Sequence, residues 1–210
     1  MAAKKLFVEQ GLKLMEVNEY LARRLSRAGY VDVQIFRTPI GTRLVIFAER
    51  PPLVIGKKGL TIKEIAQTLE KEFGLENPQI DVVQIKNPEL NAKIMAYRIA
   101  RALARGVKFR RAAFIALRRI MEAGARGAEI VISGKLTSER ARFEKFKAGV
   151  VLKSGKPREE LVDEAVVQVL LKPGVYGVKV RIMPPVKAPD RVEIRVPAPE
   201  GGVEEAGGEG

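Results

Sequence analysis

The feature that most narrows what this chain can fold into is Ile55-Gly56-Lys57-Lys58-Gly59, set directly ahead of an amphipathic helix. Glycines three apart open backbone dihedrals closed to other residues and let a ligand approach with no Cβ in the way. The following helix is read from Ile62, Ile65, Ala66, Leu69 and Phe73, which fall on one stripe, with Gly74 as its stop. A helix N-terminus offers unpaired N–H groups and a partial positive charge, and two lysines add point charges, so the segment suits phosphate. By itself Gly-x-x-Gly is equally a tight turn with solvated lysines. Its flanks decide between the two. The GxxxxGK[ST] pattern of nucleotide-hydrolysing loops is absent.

Upstream, residues 5–29 read as a helix: Val17, Tyr20, Leu21 and Leu25 share a face, Arg23, Arg24 and Arg27 lie off it, and Gly29 ends it. Val31, Val33 and Ile35 alternate with polar residues as a half-buried strand. Pro39-Ile40-Gly41-Thr42 predicts a turn, and Leu44–Ala48 the second strand of a hairpin. Downstream of the helix, Ile80–Lys86 reads as a strand between Asn77-Pro78 and Asn87-Pro88. The order is helix, strand, strand, short helix, Gly-x-x-Gly, helix, strand. This is the logic of the KH module, whose GxxG loop clamps a short run of backbone nucleotides.

Asn87-Pro88 predicts a junction, giving a first domain over residues 1–87 and a second over 88–186. The second opens with two helices, Glu89–Ala104 and Phe109–Ala123. Met95, Ile99, Ala102 and Leu103 form the apolar face of one, and Ala113, Ala116, Leu117 and Ile120 that of the other. Strand-like segments follow at Ala128–Ser133, Arg140–Lys147 and Val175–Met183. Glu160–Leu171 suits helix or strand. After Pro184-Pro185, residues 187–210 read as a disordered acidic tail.

The charge says more about partners than about fold. The net charge is +13. Residues 187–210 carry −3 and residues 1–186 therefore +16, a balance suited to phosphate backbones or anionic membranes. No cysteine or histidine occurs. Disulfides, thiolate or imidazole zinc sites and histidine-activated nucleophiles are excluded. No apolar run approaches the ~20 residues needed to span a bilayer, and no apolar signal core follows Met1. A cytoplasmic chain is expected, with no metal, cofactor or small-molecule substrate.

Between Lys93 and Lys147, fifteen Lys and Arg face four Glu, an excess of +11. On the helix after Gly106, Arg111 and Arg118 are seven apart and share a stripe, with Arg110 and Lys108 beside it. A solvated helix face normally mixes signs. Here only Glu122 offsets the cations, so phosphate contact is favoured, and Arg suits a bidentate grip. Lys135, Arg140, Arg142 and Lys145 form a basic loop and strand, in which Arg140, Arg142 and Glu144 are expected on one face and Phe143 packed inward.

Taken in order, these segments resemble the universal S-three family of small-subunit ribosomal proteins in its archaeal or eukaryotic form. The resemblance spans roughly residues 4–186. It rests on Phe7-Val8-x-x-Gly11, Asn18-Glu19-Tyr20-Leu21, Val54-Ile55-Gly56-Lys57-Lys58-Gly59 and Arg110-Arg111-Ala112. It continues through Ile120-Met121-Glu122-x-Gly124-Ala125-x-Gly127, Ser133-Gly134-Lys135-Leu136, Ser154-Gly155-x-Pro157, Val169-Leu170-Leu171 and Gly174-Val175-x-Gly177-Val178-Lys179-Val180. The resemblance implies an α+β chain: a type II KH domain with helices on a three-stranded mixed sheet, then an α/β domain with two helices on a mainly antiparallel sheet. It implies a place in the head of the small subunit, with small-subunit rRNA, mRNA and neighbouring head proteins as partners. It also implies a share in the channel through which mRNA enters, where basic residues grip mRNA and help unwind it. Arg110 and Arg111 match two of those residues by position. The third, three positions on, is Phe114 here, and Arg118 on the Arg111 stripe is the candidate substitute.

Two other readings compete. A free KH-type RNA regulator or chaperone would share the loop, but a second strongly basic domain suits permanent burial in rRNA better. A lysine-dependent lyase acting on damaged DNA needs a lysine of depressed pKa in a desolvated pocket, and the sequence singles out none.

Overall fold

The computed structural model describes residues 2–38 and 41–186. Pro39 and Ile40 of the expected turn, and the expected acidic tail over 187–210, lie outside the described residues.

The first half is built on a three-stranded mixed sheet. Strands β1 (Tyr30–Thr38) and β2 (Gly41–Ala48) pair antiparallel, and β3 (Gln79–Gln84) adds parallel to β2. Helix α1 (Ala2–Arg24) stops earlier than the sequence predicts, because Leu25 leaves helical geometry and a 3-10 turn carries the chain to left-handed Gly29. The short helix expected ahead of the glycine loop is α2 (Pro51–Ile55), opened by Pro51-Pro52, where missing N–H groups are tolerated. Helix α3 (Leu60–Phe73) follows the glycine loop and ends on left-handed Gly74. Val17, Leu21 and Leu25 close against Val33, Leu44, Ile46, Val54, Ile65 and Leu69 in one core.

The second half has its own core. Helix α4 (Ala92–Ala104) starts three residues later than the sequence predicts. Pro88–Leu90 forms a 3-10 turn, and the Asn91 side chain caps α4 by accepting from the N–H groups of Lys93 and Ile94. Helix α5 (Phe109–Glu122) packs beside it. Strands β4 (Gly127–Gly134), β5 (Arg142–Gly149), β6 (Asp163–Leu171) and β7 (Gly174–Met183) form an antiparallel sheet in the order β5-β4-β7-β6. The ambiguous segment from Glu160 splits: its first residues finish a short helix α6 (Lys156–Leu161), and the remainder is β6. Ala128, Ile130, Ile132, Val178, Val180 and Ile182 face α4 and α5. On the opposite face, termed the open face, no helix layer covers the strands among the described residues, but the segment joining β5 to β6 brings Lys153 to Glu129 and Arg158 to Glu164.

Strand parity corrects two expectations. Arg140 precedes β5 rather than belonging to it. Phe143 does not pack inward. It pairs with Ser133 on the open face and is 69% exposed, because Glu144 and Phe146 take the side toward α5.

The halves are fastened by α4. Arg98 donates to Glu49 at 2.8 Å and to Glu89 at 3.0 Å. Arg101 donates to the Ser26 carbonyl at 2.9 Å, and the Lys93 ammonium donates to the Val31 carbonyl. These basic groups of the Lys93–Lys147 stretch are therefore spent inside the protein rather than offered to a polyanion.

On the open face, Glu164 accepts from Arg181 at 2.9 Å, from Arg158 at 3.1 Å and from Lys179. Burial raises its carboxyl, but these three bonds outweigh burial and hold it at about 2. A depressed folded-state value stabilises the fold fully above the unfolded carboxyl range near ~4.3 and loses that contribution as pH falls through about 2. Glu164→Gln is expected to lower stability by roughly 2 kcal/mol at pH 7, after allowance for solvent screening. In urea unfolding the gap to wild type should shrink between pH 5 and 2; a gap constant over that window would show that the three cations do not act through the charge.

Candidate nucleic-acid interface

The glycine loop is held in a conformation that its sequence alone permits. Gly56 has φ 74° and ψ −179°, a region essentially restricted to glycine, and donates its N–H to the Pro52 carbonyl at 2.9 Å. A Cβ there would fall 2.1 Å from Thr61 Oγ1. Lys58 is left-handed at φ 52°, an uncommon state for a residue with a side chain, and Gly59 follows at φ 74°. Three unusual backbone conformations in four residues turn the chain sharply into α3, whose first N–H groups have no partner within the helix. Lys57 and Lys58 are exposed. Among the described residues no carboxylate lies within 4.0 Å of either ammonium. The loop thus presents two free cations at a helix N-terminus.

The basic residues of the second half divide. Arg111 and Arg118 are exposed on α5, and Lys108 is exposed at its N-cap. None of the three has a carboxylate within 4.0 Å among the described residues. Arg110 differs: its Nε and Nη2 reach Glu144 at 3.1 and 2.9 Å in a two-pronged bridge, and its guanidinium lies 5.6 Å from the Phe109 ring centre. That bridge raises the Arg110 guanidinium above its ordinary value and lowers the Glu144 carboxyl. Lys135 and Arg140 are exposed on the loop between β4 and β5, and Arg142 begins β5. The Tyr176 hydroxyl anchors that loop by donating to the Lys135 carbonyl. Lys145 is not on this face. It lies on the open side of the sheet, 3.9 Å from Glu129.

Phe114 stands 59% exposed and meets Phe146 edge-on, ring centres 5.3 Å apart. It lines an open groove of about 720 Å³ with Arg111, Ile115, Arg118 and Met121. The groove is mostly apolar, with Arg119 and one acid, Glu122, also lining it, so three arginines face a single carboxylate around it, a lining that fits an unpaired nucleotide better than a duplex.

Residues 16–90 match the KH domain family, and residues 99–182 match the family described as Ribosomal protein S3, C-terminal domain. The protein named Small ribosomal subunit protein uS3 in Thermofilum pendens is 67% identical over 188 residues, covering 90% of this chain and 93% of that one. The chain belongs to the uS3 family. Its namesake in Sulfurisphaera tokodaii is 57% identical over 192 residues, covering 91% of this chain and 85% of that one. The uS3 fold accounts for both halves: the glycine loop belongs to the KH part, and α5 with its arginines to the C-terminal part.

Sequence reasoning passed over Lys153, Lys179 and Arg181, which join Lys145 and Lys147 on the open sheet face. The signal was present: Lys179 and Arg181 alternate with buried Val178, Val180 and Ile182 along β7. Among the described residues no helix is long and apolar enough to cross a membrane.

Proposed function

We propose that this uS3-family chain is a constituent of the small ribosomal subunit head that binds small-subunit rRNA and presents α5 to incoming mRNA. Residues 1–87 act as its KH module and 88–186 as its second module, with neighbouring head proteins as further partners. The observation that carries this reading is the pair Arg111 and Arg118: exposed, on one stripe of α5, without a carboxylate, at the rim of an apolar groove. Phosphates meet the two guanidiniums, and an unpaired base meets Phe114. Arg110 contributes less, since RNA must first displace Glu144. The protein acts as a passive grip without a cofactor. A strand held single at α5 resists re-pairing while the ribosome advances, and this is the form that help in unwinding takes.

The test is RNA crosslinking with sequencing in purified ribosomes. Arg111→Ala/Arg118→Ala should lower mRNA crosslinks just downstream of the decoding site about fivefold or more, with rRNA crosslinks and subunit assembly retained. Arg110→Ala alone should lower them less than twofold. Unchanged mRNA crosslinks in the double variant would make these arginines rRNA anchors and move the grip elsewhere.

A further inference from the structure

The open face of the second sheet gathers more positive charge than its acids can match. Glu129, on β4, is 2% exposed although it points away from the core formed with α4 and α5. It is covered by cations instead of apolar groups. Lys153 lies 3.3 Å from Glu129 Oε2 and Lys147 lies 3.8 Å from it, while Arg181 and Lys145 approach Oε1 at 3.4 and 3.9 Å. Two strands over, on β6, Glu164 holds Arg158 and Lys179 and shares Arg181. Two carboxylates thus face six cations. Glu129 Oε2 has no hydrogen-bond partner in spite of the ammonium groups around it, so the cluster is crowded by charge rather than satisfied by bonding. Lys153 beside Lys147 pushes the Lys147 ammonium below its ordinary value even though Glu129, close to both, pulls the other way.

An excess of four positive charges on the face turned away from α4 and α5 is complementary to a polyanion. Its neighbours on the same face add a second property. By strand register Phe143, Val166, Leu170 and Val175 lie on this side, all exposed. Cations beside an exposed ring and aliphatic groups fit phosphate with ribose or base, and fit an acidic peptide less well.

We propose that this face is a second RNA site, opposite the α5 face, in which Lys147, Lys153 and Arg181, gathered on Glu129, hold backbone phosphates. Glu129 serves to assemble the cations on a strand surface where their mutual repulsion would otherwise spread them. The site stands independently of the role given to α5.

The experiment uses the full chain and protein-free small-subunit rRNA, with affinity followed across a salt series. Lys147→Ala/Lys153→Ala should bind about tenfold more weakly at ~0.1 M salt, and its slope of log affinity against log salt should be smaller by about 1.5. Removing both lysines strips two of the four cations around buried Glu129, so the unfolding midpoint should fall. Binding is compared at a temperature where both proteins are folded, and Lys147→Arg/Lys153→Arg should restore binding and midpoint together. Acetylation of Lys147 and Lys153 should be suppressed when the RNA is bound. Arg111→Ala/Arg118→Ala, measured in parallel, separates a failure of α5 from a failure of this face. An unchanged slope with both lysines still reactive in the complex overturns the proposal. So does equal protection by polyglutamate of matched charge, which would assign the face to an acidic protein. Protection in the free chain that vanishes on removing residues 187–210 would assign it to the chain's own acidic segment, and also overturns it.

Discussion

Gly56→Ala is expected to lower the free energy of unfolding by ~3 kcal/mol and to weaken RNA binding through the KH loop. Two costs combine. The native dihedrals, φ 74° and ψ −179°, are closed to an L-residue with a side chain. The new methyl also collides with Thr61, whose Oγ1 would be 2.1 Å away and whose Cβ would be 2.8 Å away. Thr61 sits in the first turn of α3, so relief by moving it shifts the helix start that the loop depends on. Gly59 is a useful control. It too has φ 74°, but an added Cβ there meets nothing within 4 Å, so Gly59→Ala should cost only the dihedral share, about 1 kcal/mol. Denaturant unfolding of Gly56→Ala, Thr61→Ala and the double variant measures the Oγ1 share of the collision as a coupling energy. Simple additivity would show that the Oγ1 contact is relieved elsewhere.

Arg98→Ala should destabilise the chain by about 2–4 kcal/mol and loosen the first half from the second. Arg98 bridges Glu49, at the end of the first sheet, and Glu89, in the linking turn. The Glu49 side chain is only 12% exposed. Removing Arg98 leaves a poorly solvated carboxylate with the more exposed Arg50, 3.6 Å away, as its remaining cation, which costs more than the lost attraction. The hydrogen bond from Arg98 also holds the Glu89 carboxyl below its usual range. Arg98→Lys should recover less than half, since a single ammonium cannot span both acids in the planar fork geometry. Unfolding of the alanine variant should split into two transitions, or show a reduced denaturant slope, as the halves cease to melt together. A single, unshifted transition would mean that Lys93 and Arg101 suffice to couple them.

Much of this architecture was readable from local signals. Gly74 marks a helix limit through backbone chemistry, and the stripe read on α5 is buried, while α4 buries Ile94, Ala96 and Ala100 beyond the stripe read for it. The glycine loop was found because its chemistry lies in consecutive residues. What could not be read depends on residues distant in sequence. Arg98 and Arg101 looked like the rest of a basic stretch until folding brought Glu49 and Ser26 against them. Arg110 and Arg111 are adjacent in sequence, yet only Arg110 meets Glu144, thirty-four residues on. Phe143 was expected inside because it is aromatic; strand parity, set by its pairing with Ser133, turned it outward. The open-face cluster draws on β4, β5, β7 and the segment after β5, and no window of sequence contains it.

The second half is one layer of helix on one layer of sheet, with unmatched arginines on the helix side and a cation cluster on the other. A helix is ~10 Å across, and a sheet with its side chains adds about as much again. Nucleic acid strands on the two sides would therefore be kept some ~20 Å apart. That exceeds twice the ~8 Å over which charges feel one another at physiological ionic strength. Such a slab acts as a spacer: two strands that would repel at close range can both be tied to it, and each can be released without loosening the other.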